Sequence, residues 1–328
     1  MSEIQGIPPK STRKIVAGAG EEKKRSRLAD FFIRLIKEKP LGTVGLVIVL
    51  VFLFLAIFAD QITPYGMNES HVPDRLQGPS STYWMGTDNQ GRDMFTRVVY
   101  GARVSLIVGL GATAISLVVS VIGGVTSGFI GGKFDLIFQR FVDAYMVFPT
   151  LVILIVLASL TGQGLLQITI VLGLQFGIVG IRSVRGPVIQ VKSNIYIDAA
   201  RAAGCSLWRI LWRHIMPNVM ATIIVFATLR LPGIILTEAS LSFLGFGIPP
   251  PDPSWGGMLS GSARIYMLQN PWIAVWPGLA LALVVYGSNM FGDALRDLLD
   301  PRLRGGVGRY SGAKLQKVRK EIMKKVEA

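Results

Sequence analysis

Apolar residues gather into long blocks along this chain. Residues 41–59 carry no charge, which is close to the length a helix needs to cross about 30 Å of hydrocarbon. Comparable blocks follow at 104–129, 134–160, 165–181, 219–246 and 273–291. Their Gly and Pro content suits membrane helices, where small residues allow close approach. The pattern predicts an all-α membrane protein with six transmembrane helices. Residues 1–40 are polar, with Pro8, Pro9 and a basic run at Lys23, Lys24, Arg25 and Arg27. They read as a tail that ends in a short amphipathic helix at 28–37. A cleaved signal peptide is disfavoured by the long charged leader and by the lack of an Ala-x-Ala site before Asp60.

Composition supports the membrane reading. The chain has 328 residues, 51% hydrophobic and 16% charged, against about 25% charged in a soluble domain. The net charge of +14 would suit nucleic acid or anionic lipid, and its distribution decides. With the N-terminus inside, the inner segments 1–40, 130–140, 182–218 and 292–328 hold 28 Lys and Arg, against 5 in the outer segments. That asymmetry is the positive-inside signal. Charge spread over four segments excludes a nucleic-acid face. The single Cys205 forms no internal disulfide, and His71 and His214 lie too far apart in sequence for a metal-ligand spacing.

The outer segments 60–103 and 247–272 are long and rich in Pro, Gly and aromatics, including Tyr83, Trp84, Trp255 and Trp272. Long loops are often functional. A Trp near a span is expected to sit among lipid headgroups.

One inner segment differs from its surroundings. In "YIDAARAAGCSLWRILWRHIMPN", residues 196–218, charges mix with alanines and aromatics. Pro187 is expected to interrupt the chain before it. A short helix is expected over 197–203, with Asp198 in its positive first turn. Gly204 bends it, and Ser206 caps a second helix running to His214. Pro217 stops or kinks the chain before the next span. The alanines at 199, 200, 202 and 203 leave a slim surface suited to a groove on another protein. Trp208, Trp212 and three arginines equally suit a helix resting on lipid.

Asp198-Ala199-Ala200, Gly204 and Pro217 resemble, in kind and spacing, the EAA loop of the membrane subunits of binding-protein-dependent ABC importers. Asp198 stands for the motif's Glu, and His214 and Met216 for its Ile and Leu. Residues 214–218 are similar to the His-Ile-Leu-Pro-Asn of the peptide-importing branch. "MGTDNQGRDMFTRVVYGARVSL" (85–106), "TEASLSFLGFGIPPPDPSWGGML" (237–259) and "GDALRDLLDPRLR" (292–304) resemble further segments of that branch. The chain is thus identified as a member of the dipeptide and oligopeptide importer permeases, of the second, "C" type.

The resemblance implies a type I ABC importer (MetI-like) core with a cytoplasmic coupling helix that docks into an ATPase. The expected layout is a tail at 1–40 and a first helix with its outer loop at 41–103. A five-helix core at 104–292 and a second cytoplasmic tail at 293–328 follow. Implied partners are a second permease, two ABC ATPases that bind ATP and Mg, an extracytoplasmic solute-binding protein, and membrane lipid. Implied localisation is a bacterial or archaeal plasma membrane, with both termini cytoplasmic. Asp198, Ala199, Ala200, Gly204 and Pro217 are the expected coupling residues.

The chain itself is expected to lack enzymatic activity. Its nearest approach to a phosphate-binding loop, "GPVIQVKS" (186–193), has Val191 where that loop needs Gly. Arg230, Glu238 and Asp143 fall inside predicted spans, where a charge costs about 2.5–3.5 kcal/mol on insertion scales. They either line the translocation path or pair structurally. Arg230 and Glu238, eight residues or about 12 Å apart along a helix, should not pair with each other. A stand-alone secondary transporter or channel is the alternative function, but it needs no Ala-rich inner loop. Cargo identity is not encoded legibly.

Overall fold

The computed structural model describes residues 27–299, so the basic run at 23–25, residues 300–304 of the C-terminal signature and the tail portions 1–26 and 300–328 lie outside the described residues. The first described element is α1, Arg27–Glu38, the expected amphipathic helix. Lys39 breaks it, and Pro40 opens α2, Pro40–Ile57, the first span. A short α3, Ala59–Ile62, leads into the first outer loop. Helix α4, Met94–Ile130, is 37 residues long and starts ten residues before the predicted span. Its start is fixed by Asp93, whose Oδ2 accepts from Thr96 N (2.8 Å) and Thr96 Oγ1 (2.7 Å). Gly131 and Gly132, at φ 73° and 58°, turn the chain at its inner end.

The predicted span at 134–160 is two helices, α5 (Gly132–Met146) and α6 (Thr150–Thr161), which meet at 87°. Pro149 sits at the break, and a proline disfavours helical backbone in the residue before it. Helix α7, Leu165–Lys192, passes through Pro187 without interruption, contrary to expectation. Flanking helices can compensate a lost backbone bond in membrane helices, which tolerate such prolines. The stretch 186–193 is therefore helical up to Lys192 and forms no phosphate loop.

After α7 come α8 (Ile195–Ala202), α9 (Leu207–Ile210), a π-helical turn (Leu211–Ile215) and α10 (Met216–Phe243). Pro217 does not break this run; it sits in the first turn of α10, just after the π-turn, whose Met216 N–H bonds back to Leu211 O. An outer helix, α11 (Trp255–Tyr266), and a further span, α12 (Trp272–Leu299), are the last described elements. Among the described residues five helices have the length and apolarity of spans, six with the bent α5–α6 pair counted as one. Among the described residues there is no strand beyond an isolated Thr87–Asp93 bridge.

The most extensive packing joins α4 and α7. A Cβ on Gly124 would stand 2.7 Å from both Ile181 O and Val184 Cβ, so only glycine lets the two backbones come this close. Gly173 and Gly177 of α7 lie against Ile115 and Val119 of α4 in the same way. At the inner end α1 clasps α12: Leu35 is buried with Ala294 and Leu298, and Lys39 pairs with Asp297. Trp255 is not a headgroup anchor. It is fully buried, donates Nε1–H to Val98 O (3.0 Å) and meets Phe52 edge-on at 5.6 Å. Trp84, by contrast, is exposed.

Gly124→Leu is expected to drive α4 and α7 apart and abolish the folded monodisperse species in detergent size-exclusion chromatography. Gly186→Leu, where a Cβ meets nothing within 4 Å, should leave the elution profile unchanged.

Candidate functional site: the inner helical knob and the membrane charges

Helix α8 ends in a Schellman closure. Cys205 N bonds Ala200 O (3.0 Å) and Gly204 N bonds Arg201 O (2.9 Å), with Gly204 at φ +80°. Ser206 then caps α9, its Oγ accepting from Arg209 N (3.4 Å). The result is the expected helix–bend–helix. Ile197 and Ile210, one on each limb, are fully buried. They join Val125 of α4, Val188 of α7, and Val219 and Ile223 of α10 in one cluster. Burying an isoleucine contributes roughly 1.5–3 kcal/mol, so two of them fix the bend to the inner ends of three spans.

The opposite face is free. Asp198, Ala199, Arg201, Ala202, Ala203 and Gly204 are exposed, and Ala200 is half-buried against the cluster. Asp198 pairs only with Arg201 of its own helix, at 3.4 Å and exposed, a bond worth about 0–1 kcal/mol. The knob therefore presents small side chains and backbone on a braced base. The π-turn and α10 follow without a gap.

Nearby charges stiffen the corner. Arg185 Nε donates to Asp135 Oδ1 at 2.6 Å, Arg185 Nη2 also donates to Asp135, and the Ser127 hydroxyl adds a third bond. Lys192 donates to Phe129 O at 2.6 Å, satisfying a carbonyl at the α4 C-terminus. Sequence reading missed this clamp because its partners lie 50 residues apart.

The three predicted intramembrane charges separate. Asp143 pairs with Arg182 at 3.3 Å beside an open polar cavity of about 360 Å³, also lined by Gln139, Arg140 and Arg185. Arg230 is half-buried and bonds Ser120 Oγ (2.9 Å), Ser116 Oγ (3.3 Å) and Phe176 O (3.4 Å). It does not pair with Glu238, as the helix rise requires. Glu238 corrects the expectation of a path-lining charge. It is fully buried inside this subunit, accepting from Ser242 Oγ (2.7 Å) and Ser105 Oγ (3.3 Å). Ser242 Oγ in turn accepts from Ile248 N (3.3 Å). Through Ser242, Glu238 is tied to the turn after α10.

The two long outer loops form one body. Arg97 is buried, lies 3.7 Å from Asp88 and donates to Met67 O, Asn68 Oδ1 and Pro251 O. Asn270 donates to Gln77 O (3.0 Å) and Thr87 O (3.3 Å). Arg103, then Tyr100, bond Asp60 and hold its carboxyl below the usual carboxylate range. Burial, followed by a hydrogen bond to Asp74 (2.9 Å), pushes the Tyr83 hydroxyl up to about 12.

A family model described as "Binding-protein-dependent transport system inner membrane component" matches residues 120–305, more than half the chain. The chain belongs to this family. A second model, the N-terminal transmembrane domain of oligopeptide transport permease C, matches residues 26–79. A dipeptide transport system permease protein of Alkalihalophilus pseudofirmus is 41% identical over 82% of this chain and 88% of its own length. An oligopeptide transport system permease protein of Bacillus subtilis is 37% identical over 92% of this chain and 100% of its own. A glutathione transport system permease protein of Pectobacterium atrosepticum is 36% identical over 85% and 93%. The family membership makes this chain a multi-pass transport subunit of the inner membrane rather than an enzyme.

Arg97→Ala should release residues 248–253 from the first outer loop. Hydrogen exchange at residues 64–76 and 248–254 is expected to rise together, while exchange at the inner knob stays unchanged.

Proposed function

We propose that this chain is the permease subunit of an ATP-driven peptide importer. It forms the path with a second permease, receives cargo from an extracytoplasmic binding protein and is driven by two cytoplasmic ATPases. Both termini and the knob are cytoplasmic in this reading, in line with the distribution of basic residues. The cargo class follows the relatives, whose names specify dipeptide, oligopeptide and glutathione transport.

The observation that carries the mechanism is the two-faced knob. Ile197 and Ile210 brace one face against α4, α7 and α10, and the Ala199–Gly204 side stands free. A lever must be stiff at its root and accessible at its tip. A slim tip enters a cleft with little side-chain entropy to lose. When the ATPases close on ATP, the knob shifts and α10 shifts with it, which alternates access. The braced outer loops, held by Arg97 and Asn270, are the platform for the binding protein.

Gly204→Pro or Asp198→Lys should abolish peptide uptake while membrane insertion persists. Ile197→Ala leaves a cavity costing about 2–5 kcal/mol and should leave ATPase subunits attached but uptake impaired. Uptake at the wild-type rate in all three, measured in energised cells with the complete importer, would contradict the coupling role.

A further inference from the structure

The Arg230 side chain lies in a socket built for it. The residue is 14 positions from the start of α10 and 13 from its end, near the middle of the span. Ser116 and Ser120, one turn apart on α4, are both buried and both accept from Nη1. Phe176 O of α7 accepts from the same nitrogen. A Cβ on Gly180 would overlap both Arg230 Nη1 and Ser120 Oγ, so the guanidinium occupies space that only glycine leaves open.

All of these bonds use one nitrogen, and every partner is neutral. No carboxylate lies within ion-pair distance of Arg230 among the described residues, although its charge stands in mid-membrane. Nε and Nη2 make no hydrogen bond among the described residues; Nη2 also lies against Gly180, and the half-buried side chain keeps part of its area exposed. The edge that carries these two nitrogens is the planar fork that receives a carboxylate in two parallel bonds. A guanidinium facing acyl chains at this depth is disfavoured. The fork therefore opens onto water or protein.

We propose that Arg230 is a cargo-binding residue, its Nε/Nη2 edge taking the terminal carboxylate of a peptide midway across the membrane. This rests on the peptide-importer reading above. Ser116, Ser120 and Gly180 are positioning residues: they hold Nη1 so that the fork points outward at no further ordering cost. Neutral partners are what such a site requires, because a resident carboxylate would compete with the cargo.

The test is uptake of radiolabelled trialanine and of its C-terminal amide by the complete importer in proteoliposomes, with the loaded binding protein supplied. Arg230→Gln should lower uptake of the free acid by roughly tenfold or more and that of the amide by less than about twofold. Gly180→Ala, which displaces the guanidinium without removing its charge, should give the same selective loss. Equal losses for both peptides would overturn the site and point to a pairing with the second permease. Unchanged uptake of both would also overturn it. If the wild-type importer moves neither peptide, the cargo reading fails, and this site fails with it.

Discussion

The close approach of α4 and α7 is the constraint on which the other features rest. It exists because Gly124, Gly173 and Gly177 remove side chains from the contact. Without a hydrophobic force between helices in lipid, such packing is a principal source of cohesion. Its consequences run along the whole membrane depth. At the inner end the paired helices supply Val125 and Val188 to the cluster that roots the knob. At mid-depth the same pair supplies Ser116, Ser120 and Gly180 around Arg230. At the outer end α4 offers Val98 and Gly101 to Trp255 and so holds α11.

Polar groups inside the spans divide into two kinds. Glu238 and Asp135 are enclosed and fully engaged with neighbours of the same subunit. They fix a turn and a corner. Arg230 and the Asp143–Arg182 pair retain surface. A charge with free surface at membrane depth has to face protein or water, so Arg230 marks a side of the subunit turned away from lipid, whereas Arg182 belongs to the inner segment 182–218 and its pair with Asp143 borders the open polar cavity. The distinction is one of exposure, which residue type alone does not carry.

Much of this was legible in the sequence. Long apolar blocks located the spans, and the spacing of Asp198, Ala199, Ala200, Gly204 and Pro217 located the knob. The eight-residue separation of Arg230 and Glu238 correctly kept them apart. The proline readings were less faithful, because proline's local effect depends on its neighbours: Pro149 bends the chain by 87°, while Pro187 and Pro217 leave their helices continuous. The Arg185–Asp135 clamp and the burial of Trp255 and Glu238 arise from tertiary neighbours far apart in sequence. A weak signal for the Arg230 socket was present all the same: Ser116 and Ser120 stand four apart on one helix face, as do Gly173 and Gly177.

The central claim is that the knob and the inner half of α10 move as one rigid piece. It is tested most directly by pulsed electron–electron distance measurement between spin labels at Ile195 and Met220, both exposed and both outside the Ala199–Gly204 tip, in the complete importer. The measurement is made with nucleotide absent and after trapping with ATP and vanadate. The account predicts one narrow distance distribution that does not shift between the two states, while labels at Ile195 and on the second permease change separation. A shift or broadening of the Ile195–Met220 distance on trapping would mean that the knob yields at its root, and would contradict the account.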